Sequence, residues 1–199
     1  WFGDKEIPDE LKRYMESWHR YCPDYEIIRW SEKNYDLEKY SYTSQAYKHK
    51  KWGYIPDIVR LDVLCEHGGI YLDTDVELIK SLDELLYQPG FIGVEKWGIV
   101  NAGGGCGAVQ GNSMLRKILD YRLQFPFEYP DGTLNLESSG SFETTPLIER
   151  GFQPNNTLQR IEDLTVYPSD FFQPFDYMSK ELCVTANTYG IHHFYGSWV

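Results

Sequence analysis

Residues 56–79, PDIVRLDVLCEHGGIYLDTDVELI, change their hydrophobic period half-way. Up to residue 67 the apolar positions are spaced as on one helix face, with Ile58, Leu61, Leu64 and Cys65 aligned. A glycine pair then closes the run, as a left-handed helix cap requires. Residues 70–73 and 76–79 read as short extended segments with an apolar lead-in. A helix feeding straight into a buried strand is the repeating unit of α/β architecture. Two carboxylates, Asp73 and Asp75, interrupt that strand at i and i+2, so both point to one side of it. At about 6 Å and an effective dielectric of about 20 their repulsion is about 3 kcal/mol. Such a pair needs a compensating partner.

The rest of the chain fits the same class. Residues 8–22 place Leu11, Tyr14, Met15 and Trp18 at helical spacing between Pro8 and Pro23. YEIIRW (25–30), FIGVE (91–95) and LTVYP (164–168) read as strands, and 43–51 and 112–125 as helices. The segment 126–145, rich in Pro, Gly and Ser, reads as loop. Helices alternating with short buried strands predict an α/β domain with a mixed, mostly parallel central sheet. Ligands in such sheets sit beyond the carboxyl ends of strands, which is where Asp73 and Asp75 fall. The 199 residues are enough for one domain, spanning 1–199.

A net charge of −11 argues against nucleic acid or an anionic membrane as main partner. Cys22, Cys65, Cys106 and Cys183 form no CxxC pair, which disfavours a zinc site and a disulfide framework. Reduced thiols point to the cytoplasm. No apolar run approaches the roughly 20 residues needed to span a bilayer, and no signal peptide is visible.

Hard divalent cations take oxygen ligands, commonly one or two carboxylates plus substrate phosphates, so Asp73 and Asp75 are candidates for Mg²⁺ or Mn²⁺. Strand-end aspartates also occur as plain turn residues. Asp57 and Arg60 lie one helical turn apart at the start of the helix, where a local ion pair is the alternative reading. Asp62, inside IVRLDVLC, reads as a buried structural acid. NAGGGCGA (101–108) satisfies G-x-G-x-x-A, yet no strand leads directly into it. Close backbone approach to a ligand, or a simple loop, fits it better than a dinucleotide fingerprint. Walker-A and GxSxG sequences are absent from the chain. Near the carboxyl end, adjacent His192 and His193 point to opposite faces of a strand, so one of them at most serves a given site.

Together, YIPDIVRLDVLCEHGGIYLDTDVELIKSLDELL (54–86), the opening WFG with ESWHRYCPDYEIIRW (16–30), VYPSDFFQPF (166–175) and IHHFYGSW (191–198) resemble the DXD glycosyltransferases of family 32. The resemblance implies a GT-A fold, a single Rossmann-like nucleotide-sugar-binding domain. It implies Asp75 and His193 as metal ligands for Mn²⁺ (or Mg²⁺), and Asp73 on the donor ribose or sugar. Asp57 and Arg60 would hold the donor sugar, with Tyr71 on the strand behind the motif. Trp1 or Phe2 would lie against the nucleotide base, Ser197 and Trp198 would close over the diphosphate, and Asn101 would lie near donor and acceptor.

The activity implied is retaining transfer of a hexose from a nucleotide sugar, UDP-hexose foremost or a GDP-linked one, to a glycan acceptor. Capsule, lipopolysaccharide or another bacterial surface polysaccharide is the expected product. The expected location is cytoplasmic, at the inner face of the membrane through peripheral association. A non-catalytic carbohydrate-binding domain that keeps the fold is the alternative. Two departures stand out. A hydrophobic strand often precedes WFG in the family, and its absence implies a shortened start. Thr144-Thr145-Pro146 stands where many members have T-G-P, with Glu143 before it, a change on the acceptor side.

Overall fold

A computed structural model describes residues 1–196. Helix α1 (Asp9–Tyr21) begins after Pro8, with Asp9 and Glu10 in its first turn and His19 and Arg20 in its last, each matched to the helix dipole. Helix α2 (Ser41–Lys48) follows, then α3 (Pro56–His67), which starts with proline at its first position. It stops at Gly68, whose φ of 71° puts the cap in the left-handed region.

Strands β1 (Gly69–Tyr71) and β2 (Val76–Leu78) come next, followed by β3 (Gly90–Gly93) and β4 (Cys106–Ala108). Helix α4 (Ser113–Arg122) is capped by Asn112, whose side chain accepts from the Leu115 amide. Helix α5 (Ser139–Ile148) precedes β5 (Gln159–Ile161), β6 (Leu164–Tyr167), β7 (Phe175–Asp176), β8 (Glu181–Leu182) and β9 (Gly190–His192).

The central sheet has the order β1-β4-β3-β6-β5, with β2-β9 and β7-β8 as separate two-stranded ladders. It is mixed, as expected, but not mostly parallel. Among the described residues β3–β6 is its one parallel pair, and β1–β4, β3–β4 and β5–β6 are antiparallel. The connections explain this. The chain from β3 folds directly back into β4, pinned by a Val94–Val100 bridge, and only two residues join β5 to β6. The crossover from β4 to β6 carries α4 and α5, long enough to return parallel to β3.

Two further expectations are corrected. Residues 25–30 form no strand, because no described segment offers them a ladder. The predicted loop 126–145 runs into α5, whose Ser, Gly and Thr residues carry little helical periodicity. Tertiary contacts hold it. Phe142, Glu143 and Leu147 are buried, and the Thr144 hydroxyl receives the Val100 amide at 2.9 Å.

Helix α3 packs on α4, α4 on α5, and α1 on β2. One apolar cluster joins Ile58, Leu61 and Leu64 of α3 to Ile92, Cys106, Leu115, Leu119 and Val166. A second gathers Leu78, Leu82, Phe91, Phe172 and Tyr189. Asp62 is buried, as its sequence context suggested. Its carboxylate accepts from Tyr35 Oη (2.8 Å), Tyr40 Oη (2.9 Å) and Lys39 Nζ (2.6 Å), so the buried charge is paired.

Candidate active site

Along one side of the sheet runs a cleft of about 1150 Å³, bordered by α3, the end of β1, the 95–101 turn and β9. At its centre lies Arg60, carried inward on α3 and 5% exposed. Its guanidinium meets three carboxylates: Asp57 at 3.3 Å, Asp73 at 3.3 Å and Glu143 at 3.6 Å. The Tyr71 ring lies 5.5 Å from the guanidinium carbon, and the Tyr71 hydroxyl donates to Asp73 at 2.8 Å. Burial raises the Asp57 carboxyl to about 6 and the Glu143 carboxyl to about 7, with Arg60 opposing each shift.

Asp73 and Asp75 follow the carboxyl end of β1. The Asp73 amide donates to the Gly103 carbonyl (2.8 Å), which brings the glycine-rich loop beneath the acidic pair. A Cβ on Gly103 would collide with the Asp73 carboxylate, so close approach is the use of this glycine. The close approach at Gly103 is thus to the Asp73 side chain.

The β2–β9 ladder sets which histidine faces the acids. Val76 pairs with His192, turning that imidazole inward, and His192 Nε2 lies 3.3 Å from Asp75 Oδ1. His193, expected as the metal-ligating residue, points the other way. Its ring stacks on Tyr14 with centroids 4.0 Å apart, and its Nε2 lies 3.0 Å from Glu77. The strand period decides this, because neighbouring residues face opposite sides and β9 registers with His192 on the site.

Asp73, Asp75 and His192 each offer a ligand atom within 4.8 Å of the others. Burial pushes the Asp75 carboxyl up, but the nearby His192 and the Tyr195 amide outweigh it, and the group sits at about 2. His192 Nδ1 is buried with no hydrogen-bond partner among the described residues.

Asp57, Arg60, Tyr71, Asp73, Asp75 and Asn101 thus border one cleft, as the sequence suggested. Trp1 also borders it, its indole N–H donating to the Lys5 carbonyl at 2.7 Å, and Trp52 and Tyr54 line the same cleft. Phe2 borders the cleft too but is 6% exposed and belongs to the core. Ser197 and Trp198 lie outside the described residues. Glu95 was not among the candidates, Glu143 was noted only as the residue before Thr144, and the resemblance favoured His193 over His192. Glu143 arrives on a helix with no sequence signal, whereas His192 was within reach of a register argument.

Residues 8–92 match the family described as the glycosyltransferase sugar-binding region containing a DXD motif. Over those residues the chain is similar to the DXD glycosyltransferases. It is 29% identical over 133 residues to inositol phosphoceramide mannosyltransferase 3 of Schizosaccharomyces pombe, covering 62% of this chain and 36% of that protein. It is 27% identical to mannosyl phosphorylinositol ceramide synthase SUR1 of Saccharomyces cerevisiae over 46% of this chain and 25% of that one. The chain therefore spans about a third, or less, of the length of these curated relatives. Its fold is similar to that of the PaToxG glycosyltransferase, with a TM-score of 0.54 and 21% identity over 75% of this chain and 66% of that one. The α/β glycosyltransferase fold inferred from the motifs is the one observed.

Proposed function

We propose that this chain is a metal-dependent hexosyltransferase that uses a nucleotide sugar and retains configuration at the anomeric carbon. The placement of Asp73, Asp75 and His192 beside Arg60 in one cleft carries the proposal. Two carboxylates and an imidazole with an orphaned ring nitrogen form a donor set that suits Mn²⁺ or Mg²⁺. Asp75 and His192 would hold the ion, with Asp73 between it and the donor. Such an ion, when bound, neutralises the charge that develops on a departing diphosphate.

The protein's own groups do the rest. Tyr71 and Arg60 fix the Asp73 carboxylate, so it need not reorganise as the glycosidic bond weakens. Asp57 and Arg60 offer an acceptor and a donor to sugar hydroxyls. Trp1 and Trp52 offer aromatic faces to the base. No covalent nucleophile is assigned, and front-face displacement through an oxocarbenium-like state needs none.

The relatives are named for mannose transfer to inositol phosphoceramide, and the motifs suggested surface polysaccharide such as capsule or lipopolysaccharide. Both acceptor classes present a ring hydroxyl, which is the chemistry we assign. Two proposals about setting go with this. Charge argues against nucleic acid as a partner, and unpaired cysteines favour the cytoplasm, with peripheral association at the inner membrane face for a lipid-borne acceptor. No helix among the described residues is long and apolar enough to cross a membrane.

The test is thermal unfolding and nucleotide release across UDP-glucose, UDP-galactose, UDP-N-acetylglucosamine and GDP-mannose, with Mn²⁺ and with chelator. One donor should stabilise the protein and be turned over only with metal. Donor protection without turnover would favour a non-catalytic carbohydrate-binding domain.

A further inference from the structure

We infer that Glu95, held in place by Asn101, forms the acceptor side of the cleft and takes a ring hydroxyl of a sugar or polyol next to the transferred hexose. The inference rests on the hexosyltransferase reading.

Glu95 follows β3, where the chain turns back on itself. Its amide donates to the Ile99 carbonyl (2.7 Å), and its carbonyl accepts from the Gly98 amide (2.8 Å), so its backbone is fixed. Its side chain accepts from Asn101 Nδ2 at 2.9 Å through one oxygen. The other oxygen has no partner among the described residues. Asn101 is itself locked: Oδ1 accepts from the Gly103 amide (3.0 Å) and its carbonyl accepts from Gln173 Nε2 (2.9 Å). Through the Asp73 amide on the Gly103 carbonyl, a continuous line of hydrogen bonds joins Asp73 to Glu95. A single wall therefore presents the donor-facing aspartate and, further along, a carboxylate with a free oxygen.

The chemistry of that oxygen selects its ligand. A carboxylate repels a diphosphate and accepts a proton donor, so it suits a neutral hydroxyl. Among the described residues it forms no hydrogen bond or ion pair with Arg60, Asp57 or Tyr71, which engage Asp73 or Arg60 instead. Tyr177 and Phe194 also line the cleft with ring centroids 4.9 Å apart, and the Glu95 charge acts on the Tyr177 hydroxyl. Aromatic faces next to a fixed carboxylate suit the apolar and hydroxyl faces of a sugar or cyclitol ring. Burial also raises the Glu95 carboxyl, consistent with an oxygen shielded from bulk water.

The experiment uses the whole chain, Mn²⁺ and the donor it turns over, with methyl α-mannopyranoside and myo-inositol 1-phosphate as acceptors. It compares transfer to each acceptor with hydrolysis by water. Glu95→Gln should lower the ratio of transfer to hydrolysis about tenfold to a hundredfold, through acceptor KM, the loss expected for a hydrogen bond to a charged group. Asn101→Ala, which breaks the wall, should depress hydrolysis and transfer together. An unchanged ratio in Glu95→Gln, or a rise in donor KM alone, would overturn the acceptor role. Hydrolysis with transfer to neither polyol would also overturn it, because a ring-hydroxyl site accepts one of them at high concentration. Those results leave the hexosyltransferase reading standing. Absence of any metal-dependent donor turnover by the native chain removes both.

Discussion

Around Arg60, three carboxylates share one guanidinium in a space that water barely reaches. The imbalance shows in Glu143, which titrates at about 7, chiefly because burial disfavours its charged form. An ordinary glutamate in the unfolded chain titrates at about 4.3. Between those values the native state keeps a proton that the unfolded state has lost, so this group's contribution to stability falls as pH rises and levels off above about 7. Glu143→Gln removes that slope. Its melting temperature relative to the native protein should climb from pH 5 to pH 7.5, and a flat difference would show that Glu143 does not titrate in this range. The histidine pair allows a cleaner comparison. His192→Ala should weaken Mn²⁺ binding, read by titration calorimetry, at least about tenfold, a loss seen even for outer-shell partners of a metal. His193→Ala should change it less than about twofold, because His193 engages Glu77 and Tyr14 instead. Equal effects would reject the assignment of His192. At this scale the sequence was informative for residues next to the acidic pair: Asp57, Arg60, Tyr71, Asp73 and Asp75 all came from one run. It did not place Glu143 under Arg60 or Glu95 on the cleft, because neither lies next to the acidic pair in sequence.

Among the elements, the loop 101–105 and the β2–β9 ladder do most to shape the site. Gly103 has no room for a side chain because the Asp73 carboxylate occupies it. Gly103→Ala should cost about 1–3 kcal/mol in denaturant unfolding, as overpacking does, and should abolish the thermal shift given by Mn²⁺. Retention of that shift would mean that the acidic pair tolerates displacement from the loop. The ladder acts through register: a one-residue slip of β9 would turn His192 out and His193 in. Local pattern marked α1, α3 and α4 because each carries an apolar face or a defined cap. It missed α5, where Ser, Gly and Thr residues become helical only through Phe142, Glu143 and Leu147 packing inward.

For the molecule as a whole, α3 serves the core, the site and a buried polar anchor at once. Asp62 fastens its outer side to Tyr35, Tyr40 and Lys39. Asp62→Ala should lower stability by about 2–4 kcal/mol, because buried partners lose their acceptor. The Mn²⁺ thermal shift should survive, since the substitution leaves Asp73, Asp75 and His192 in place. Its loss would mean that the anchor and the site are one cooperative unit. Hydrophobic period, helix caps and the acidic pair are properties of neighbouring residues, so the α/β class, the α3–β1 unit and the DXD wall were legible in the amino-acid order. Strand direction and ladder partners depend on connections and on distant edges, which is why a mostly parallel sheet and a strand at 25–30 were expected and not found. The same holds for the site's far side. Which histidine meets Asp75 and which glutamate sits under Arg60 follow from segments about 40 to 120 residues apart folding together.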